Sequence, residues 1–340
     1  MLLVGIADAV FMSLESLGKL RSLRVCAKHV SCNSVYTSLS HLKQLSYLKI
    51  SGASSLGGLL RPLRHCSSLS VLHAQRCVCR TLSHGALAGL TQLSELHVDL
   101  AATSQDALSA IAYQLPALSH LRCLEAAVNR SARTQDWAPA LHSLAPIALL
   151  ALPTLTALEL PPCPGSMLPS LADALCALPA LRQLSLLRRN RELPLPQTQL
   201  TAEPHALQEF AAAVGALRSL QLLELPFATL KACSSAATVA LAPLVSLTRL
   251  VLTAADTGPT VQVCDAIELG TACAQLQGLC ELSVRLPRGS DAQLMELVPH
   301  LRHLIKLQWL EMEGLSAAEC LDVLWDNLKA LPLQRGVLLH

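Results

Sequence analysis

Aromatic and charged side chains are both scarce in this 340-residue chain. Phe, Trp and Tyr together account for 3% of the residues, and Asp, Glu, Lys and Arg for 15%, whereas charged residues make up roughly a quarter of an average soluble domain. With so few rings, the core must be aliphatic and built mainly of Leu, Ala and Val. A hydrophobic fraction of 52% fits an array of stacked units, since each unit must supply its own row of aliphatic residues.

An excess of charge and a long uninterrupted apolar run are also missing. The formal net charge is +2, too balanced to supply the counterion release that gives proteins affinity for nucleic acid. The most apolar window, 144–160, contains two prolines, whereas a membrane span needs about 20 apolar residues without such interruptions. The N-terminus has no basic segment, and Asp8 interrupts its apolar start, which argues against a signal peptide. We therefore predict no nucleic-acid partner and no membrane span.

The thirteen cysteines form no recognisable framework. Their number is odd, their spacing is irregular and no paired C-x-x-C motifs occur. Disulfide frameworks are typical of short secreted chains, which this is not. Several of the cysteines fall at apolar positions, where free cysteine behaves as a small buried hydrophobe. We predict reduced thiols and a cytoplasmic location.

Short catalytic motifs are absent from the sequence as well. There is no G-x-x-x-x-G-K-[ST], G-x-G-x-x-G, H-E-x-x-H or G-x-S-x-G, the signatures of phosphate binding, dinucleotide binding, zinc proteolysis and serine hydrolysis. His300 and His303 stand three residues apart, but with no third ligand nearby they indicate a surface pair more than a metal site. The sequence therefore predicts no enzyme, no cofactor and no metal.

A nine-residue apolar pattern is present instead, and it recurs along the whole chain. Leu90–Val98 reads L-x-x-L-x-x-L-x-V. The first four intervals between copies are 24 or 25 residues, and later ones range from 26 to 39. The copies open at Leu17, Leu42, Cys66, Leu90, Leu115, Leu152, Leu178, Leu217, Leu244, Leu276 and Leu304. The end of each copy alternates apolar and polar residues, which predicts a short strand.

This pattern resembles the leucine-rich repeat family, with its L-x-x-L-x-L-x-x-N/C consensus. Cys77 and Cys163 carry the cysteine variant at the matching place. The resemblance implies an α/β solenoid, a horseshoe with short parallel strands on the concave face and helices or turns on the convex face. We expect one domain over 1–340 with about eleven repeats, irregular in its middle, and insertions at 129–144 and 187–204.

The crossovers between strands differ between the two halves of the sequence. In the C-terminal half, 168–178, 207–217 and 265–276 are rich in helix formers. Ser290–Gln293 and Ser316–Glu319 match the capping box that opens helices. In the first half the crossovers are shorter, and the one with Gly57 and Gly58 predicts a turn or a single helical turn. The tail at 331–340 predicts a final apolar strand.

The residue between the last two apolar positions of each copy is expected to face solvent on the concave side. This column is basic or imidazole-bearing in five copies and acidic or neutral in the next six. It reads Arg24, Lys49, His73, His97, Arg122, Glu159, Ser185, Glu224, Val251, Ser283 and Glu311. Neighbouring columns add Tyr47, Glu95 and Trp309, and exposed Tyr, Trp and Arg are frequent anchors of binding sites. The alternative is that outward strand positions are simply polar and the order of signs is accidental.

These features favour a non-catalytic protein-interaction module, either a scaffold, an adaptor or a substrate-recognition array, with another protein as partner. The candidate partner-binding residues are Arg24, Tyr47, Lys49, His73, Glu95, His97, Arg122, Glu159, Trp309 and Glu311. Repeats of this kind occur in ubiquitin-ligase receptors and in cytoskeletal or ciliary assemblies, an analogy from fold that does not fix function. The alternative from another class is the regulatory or recognition part of a larger enzyme complex such as a ubiquitin ligase.

Overall fold

The structure, a computed structural model, describes most of the repeat copies and leaves gaps between them. The described residues are 2–4, 17–30, 38–53, 55–79, 85–87, 89–103, 111, 113–128, 152–160, 163, 165–187, 203–226, 229, 236–254, 263–287, 289–314, 326, 329, 333 and 336–339. The chain divides into two compact units, Met1–Pro161 and Pro162–His340.

Both units contain a parallel sheet in which each strand pairs with the next strand along the chain. The described strands of unit 1 are β1 (Leu2–Val4), β2 (Ser22–Val30), β3 (Tyr47–Ala53), β4 (Val71–Cys79), β5 (Glu95–Thr103), β6 (Cys123–Val128) and β7 (Ala157–Glu159). Those of unit 2 are β8 (Gln183–Ser185), β9 (Leu222–Pro226), β10 (Arg249–Thr253), β11 (Glu281–Arg285), β12 (Trp309–Glu313) and β13 (Gly336–Leu339). Sequential parallel pairing requires a crossover after every strand.

Helices occupy many of these crossovers. They are α1 (Leu56–Leu63) in unit 1 and, in unit 2, α2 (Leu168–Cys176), α3 (Pro204–Ala216), α4 (Ala236–Leu241), α5 (Val263–Ala274) and α6 (Asp291–Leu301). Strands and crossover helices repeat in step with the leucine pattern, so the predicted α/β leucine-rich-repeat solenoid is confirmed. Among the described residues, no helix combines the length and the hydropathy that a bilayer crossing requires.

The leucines of the pattern form the core of each unit. Leu90, Leu93 and Leu96 are each 1% exposed or less, and Val98 is 6% exposed. Corresponding residues of successive copies lie side by side, for example Leu72 opposite Leu96. Fully burying one such side chain contributes roughly 1.5–3 kcal/mol, so every copy contributes to the stability of its neighbours.

Cysteines replace aliphatic residues in this core, as the sequence predicts. Cys66 stands at a first-leucine position and is fully buried, and its thiol donates to the Leu39 carbonyl at 3.3 Å. Burial, only partly offset by Lys43, raises the pKa of Cys66 to about 11. Cys77 and Cys163, the two residues of the family's cysteine variant, are buried as well.

Hydroxyl side chains tie successive copies together just before the strands. Ser46, Ser70 and Ser94 each donate from Oγ at 3.0 Å to the carbonyl of the corresponding residue one copy earlier. Thr156 and Thr248 make the same bond at 3.1 and 3.0 Å. Each carbonyl also accepts two backbone N–H groups, as Ser70 does from Ser94 and Glu95. The bends before these strands are therefore hydrogen-bonded from each copy to the next.

Three helices predicted for the second half are confirmed as α2, α3 and α5. The capping-box motif at Ser290 does precede a helix, α6, but the Ser290 side chain makes no capping hydrogen bond. The second such motif, 316–319, lies outside the described residues, as do the insertions proposed at 129–144 and, apart from the ends of that range, at 187–204. The predicted final strand is present as β13.

The expectation for the crossover with Gly57 and Gly58 is wrong in its length. This segment forms α1, an eight-residue helix that begins after Ser55, whose Oγ accepts the Gly58 N–H at 3.1 Å. Its buried residues are Leu56, Leu59, Leu60 and Leu63. That spacing places four leucines on one helical face, and their burial outweighs the roughly 1 kcal/mol that each glycine costs a helix.

The register of the fifth copy also differs from the prediction. The sequence pattern places its start at Leu115, but Leu124 lies opposite Leu96 and Leu158, so the copy begins at Leu118. Four leucines spaced three apart, at 115, 118, 121 and 124, make both alignments possible in the sequence. The register in the structure places Arg122 outside the outward column and Glu125 in it.

Candidate functional site

The outward row of unit 1 consists of one residue per strand, the one that directly follows the buried strand leucine of each copy and points away from the core. Its members lie opposite one another on neighbouring strands: Arg24, Lys49, His73, His97, Glu125 and Glu159. Because strand side chains alternate between faces, each member directly follows a buried leucine. Arg24, for example, lies between Leu23 and Val25, which are 0 and 1% exposed. A buried core thus fixes the positions of this row.

At the start of the row, aromatic and cationic groups are in contact. The Arg24 guanidinium lies over the Tyr47 ring, 5.3 Å from its centroid, a distance at which cations are attracted to aromatic faces. The centroids of Tyr47 and His73 are 5.5 Å apart, and those of His73 and His97 3.9 Å. Arg24 is exposed, whereas Tyr47 and Lys49 are half-buried. This part of the row is a packed and accessible polar surface.

His97 contacts side chains of two strands. Its Nδ1 is hydrogen-bonded to Glu125 Oε2, while Nε2 lies 3.7 Å from Glu95 Oε2 and 4.0 Å from Cys123 Sγ. The side chains of His97 and Glu125 are only 14% and 11% exposed, whereas that of Glu95 is 47% exposed. One imidazole therefore joins groups from β5 and β6.

These neighbours change the protonation of His97. Burial would lower its pKa, but the hydrogen bonds and charges of Cys123 and Glu125 outweigh this and raise the pKa of His97 to about 10. The raised pKa favours the protonated imidazole, which pairs with the Glu125 carboxylate. The other cations of the row are Arg24 and Lys49.

The predicted site residues of unit 1 are partly brought together. Arg24, Lys49, His73, His97 and Glu159 lie in the row as expected, and Tyr47 and Glu95 flank it. Arg122 is exposed but precedes β6, where its carbonyl accepts the Thr156 and Ala157 N–H groups. Its predicted place in the column is wrong, because Leu124 and not Leu121 takes the buried position opposite Leu96. The change from basic to acidic residues consequently occurs one strand earlier, at Glu125.

A longer stretch of charge asymmetry accompanies the row. No Asp or Glu occurs between Glu15 and Glu95, whereas Lys and Arg occur ten times in that interval. The net charge of the whole chain, +2, conceals this segment because acidic residues elsewhere compensate for it. Counting charge by segment instead of over the chain would have found it.

In unit 2, the corresponding outward row is Ser185, Glu224, Val251, Ser283, Glu311 and Leu338. Its carboxylates are paired within the sheet. Ser185 donates to Glu224 at 2.7 Å, and Arg249 lies 3.8 Å from Glu224 and 3.6 Å from Glu281.

The predicted residue Glu311 is held in a similar way. Ser283 donates to its Oε2 at 2.8 Å, and Arg285 donates to Oε1 and Oε2 at 3.1 and 2.9 Å. Its side chain is 12% exposed, so both its charge and its accessibility are reduced. Trp309, at the start of β12 and opposite Glu281, is half-buried. The unit 2 row is thus less available to a partner than the start of the unit 1 row.

Comparison with solved structures finds proteins to which the chain is similar. A leucine-rich-repeat protein of Leptospira interrogans matches with 14% identity and a TM-score of 0.35, covering 97% of this chain and 92% of that one. A chain in the octameric complex of Latrophilin 3, Unc5D and the leucine-rich-repeat part of FLRT2 matches with 14% identity and a TM-score of 0.43, covering 95% of this chain and 84% of that one. No family model matches the chain. No curated protein matches it either. The fold assignment rests on the strand register and the repeat pattern.

Proposed function

We propose that this leucine-rich-repeat chain is a non-catalytic interaction module, and that the start of the outward row of unit 1 binds an acidic surface of a partner protein. The observation that carries the proposal is the contact of Arg24 with Tyr47 beside Lys49, above a buried core. Arg and Tyr are enriched among residues that dominate binding energy. Because these side chains are already held in place, they lose less conformational entropy when the partner binds.

The charge of the segment supports an acidic partner. The ten cations between Glu15 and Glu95 are opposed by no carboxylate of the same segment. Clustered charge of one sign accelerates encounter with a surface of the opposite sign and rejects like-charged proteins.

His73, Glu95, His97 and Glu159 complete the proposed contact surface, and Arg122 is a proposed contact beside it. In unit 2 we propose that Trp309 anchors the partner. We propose that Glu311 holds the Arg285 side chain in position.

The thiols support a reducing compartment, in line with the predicted cytoplasmic location. Six of the described cysteines are free thiols: Cys26, Cys66, Cys123, Cys176, Cys273 and Cys280. Free cysteines are the rule where glutathione and thioredoxin keep thiols reduced. The partner is therefore sought among proteins of that compartment.

Capture of partners with paired charge variants tests this function. Arg24→Glu/Lys49→Glu reverses two charges of the row, and we expect it to reduce recovery of the partner at least tenfold relative to the wild-type chain. Arg61→Glu/Arg64→Glu, on α1 and just after it, makes the same change in net charge away from the row and is expected to retain the partner. Quantitative mass spectrometry of material bound to each tagged chain gives the three recoveries.

The design distinguishes a specific site from general charge attraction. A protein recovered with the wild type and the α1 control, and lost from the row variant, supports the proposal. Equal loss from both variants would show that only total charge matters and would overturn it. Recovery of a nucleic acid with the same variant dependence would overturn the assignment of a protein partner.

A further inference from the structure

We propose that His73, Glu95 and His97, with the Cys123 sulfur as fourth ligand, bind a divalent transition-metal ion, zinc being the best match. One ligand atom from each of the first three residues lies within 4.8 Å of the others. Two imidazoles, a carboxylate and a thiolate are the ligand types that zinc takes in its four-coordinate protein sites. His73, Glu95 and His97 also belong to the proposed contact surface, but binding of the ion requires no partner protein.

The strand register explains why these residues meet. His73 on β4 lies opposite His97 on β5, and Glu95 on β5 lies opposite Cys123 on β6. Glu95 and His97 are two apart on one strand, so their side chains share the outward face. The four candidates thus come from three adjacent strands of a single sheet face. Their backbone positions are fixed by the buried leucines between them, of which Leu72 and Leu96 are at most 1% exposed.

Glu125 provides a second observation that points to a metal. It binds His97 at Nδ1, so Nε2 is the nitrogen left to face the cluster. In protein metal sites, a ligating histidine almost always gives its other ring nitrogen to a carboxylate, a carbonyl or water, which fixes its orientation and increases its basicity. Glu125 occupies the position of such a carboxylate, and its side chain is nearly buried.

The distances from His97 Nε2 to two of the other ligand atoms are close to those of a zinc site. Glu95 Oε2 is 3.7 Å and Cys123 Sγ 4.0 Å from His97 Nε2. Ligand atoms of a tetrahedral zinc site with bonds of about 2.0–2.3 Å lie roughly 3.3–3.8 Å apart. Closing the site on an ion requires side-chain rotations: of Glu95, whose side chain is 47% exposed, of Cys123, and of His73, whose ring is stacked on that of His97. The metal replaces the proton on Nε2, and both this proton and that of the Cys123 thiol are released to solvent.

The consequence for the protein is a cross-link of three strands. Such an ion joins β4, β5 and β6 at the middle of the outward row through side chains that are distant in sequence. Binding energy of this kind adds to the folding free energy, because the site does not exist in the unfolded chain. This set of nitrogen, sulfur and oxygen ligands also favours zinc over magnesium or calcium, which prefer oxygen ligands.

Titration of the full chain with zinc tests the site. After chelator treatment and dialysis, calorimetric titration with zinc chloride should show one ion bound per wild-type chain. Glu95→Gln, a change at the accessible ligand, should weaken that binding at least tenfold. Glu125→Gln should weaken it by roughly 10–100-fold, as for other carboxylates that hydrogen-bond a metal-ligating histidine. The control His300→Gln/His303→Gln removes two histidines elsewhere and should leave the affinity unchanged. Circular dichroism verifies that each variant is folded.

Cobalt(II) substitution tests the identity of the ligands. The wild-type chain should show the visible bands of tetrahedral cobalt and a thiolate-to-cobalt charge-transfer band, and Cys123→Ser should abolish the charge-transfer band. The inference is overturned if zinc does not bind stoichiometrically, if Glu95→Gln binds it as tightly as the wild type, if the His300/His303 control loses it, or if the charge-transfer band is missing or persists in Cys123→Ser.

Discussion

Leu310→Ala is expected to lower the free energy of unfolding by about 2–5 kcal/mol, the usual range for a buried leucine replaced by alanine. Leu310 is fully buried on β12, opposite Leu282 of β11 and Val337 of β13. The change removes apolar side-chain volume from the core and leaves a cavity there. Urea denaturation followed by far-ultraviolet circular dichroism measures the loss.

A second aliphatic residue of the same copy provides the control. Ile305 is 63% exposed in the bend between α6 and β12, so Ile305→Ala should change the free energy of unfolding by no more than about 0.5 kcal/mol, as is usual at the surface. The repeat pattern assigns Leu310 to the core and Ile305 to solvent, although they are five residues apart. Equal effects of the two substitutions would contradict that assignment.

Gly314→Ala is expected to destabilise the chain by at least about 3 kcal/mol, the sum of backbone strain and steric overlap. Gly314 has φ +115°, a conformation that L side chains rarely adopt. A Cβ atom there would stand 2.7 Å from the Leu286 carbonyl oxygen and 2.8 Å from that of Pro287. Both obstacles are backbone atoms, so no side chain can move aside. Thermal and urea unfolding of the variant measure the effect.

Gly289 separates the two contributions. It also has positive φ, +84°, but a Cβ atom there meets nothing within 4 Å. Gly289→Ala should therefore cost only the backbone strain, roughly 1–2 kcal/mol. The two glycines are neighbours in space, since the Gly289 N–H donates to the Gly314 carbonyl at 3.1 Å. If both substitutions destabilise equally, steric overlap at Gly314 is not the cause.

Much of the fold could be predicted because it is determined by a leucine spacing that repeats along the sequence. Leucines repeated at fixed spacing specify which residues are buried and which alternate with them, and parallel stacking of the copies follows from burial of those leucines. Ten of the eleven predicted copies have the predicted register in the structure. The fifth does not, because the run of leucines from 115 to 124 satisfies the spacing in two ways. Only pairing with β5 and β7 decides between them.

The grouping of site residues was harder to predict. Arg24, Lys49 and Tyr47 could be assigned to one face from strand alternation alone. The cluster around His97 could not, since Cys123 and Glu125 depend on the register of the fifth copy. Motif searches along the chain examine ligands close in sequence, whereas His73, Glu95 and Cys123 come from three different copies and meet only through strand pairing.

The association rate of the chain with its partner, measured across a range of salt concentrations, tests the central claim most directly. For the wild type, the rate constant should fall as salt increases, because screening weakens attraction between the cationic row and an acidic surface. For Arg24→Glu/Lys49→Glu, the account predicts an association at least tenfold slower at low salt and a much flatter dependence on salt. If the double variant retains the wild-type rate and the wild-type salt dependence, the outward row of unit 1 is not the binding surface.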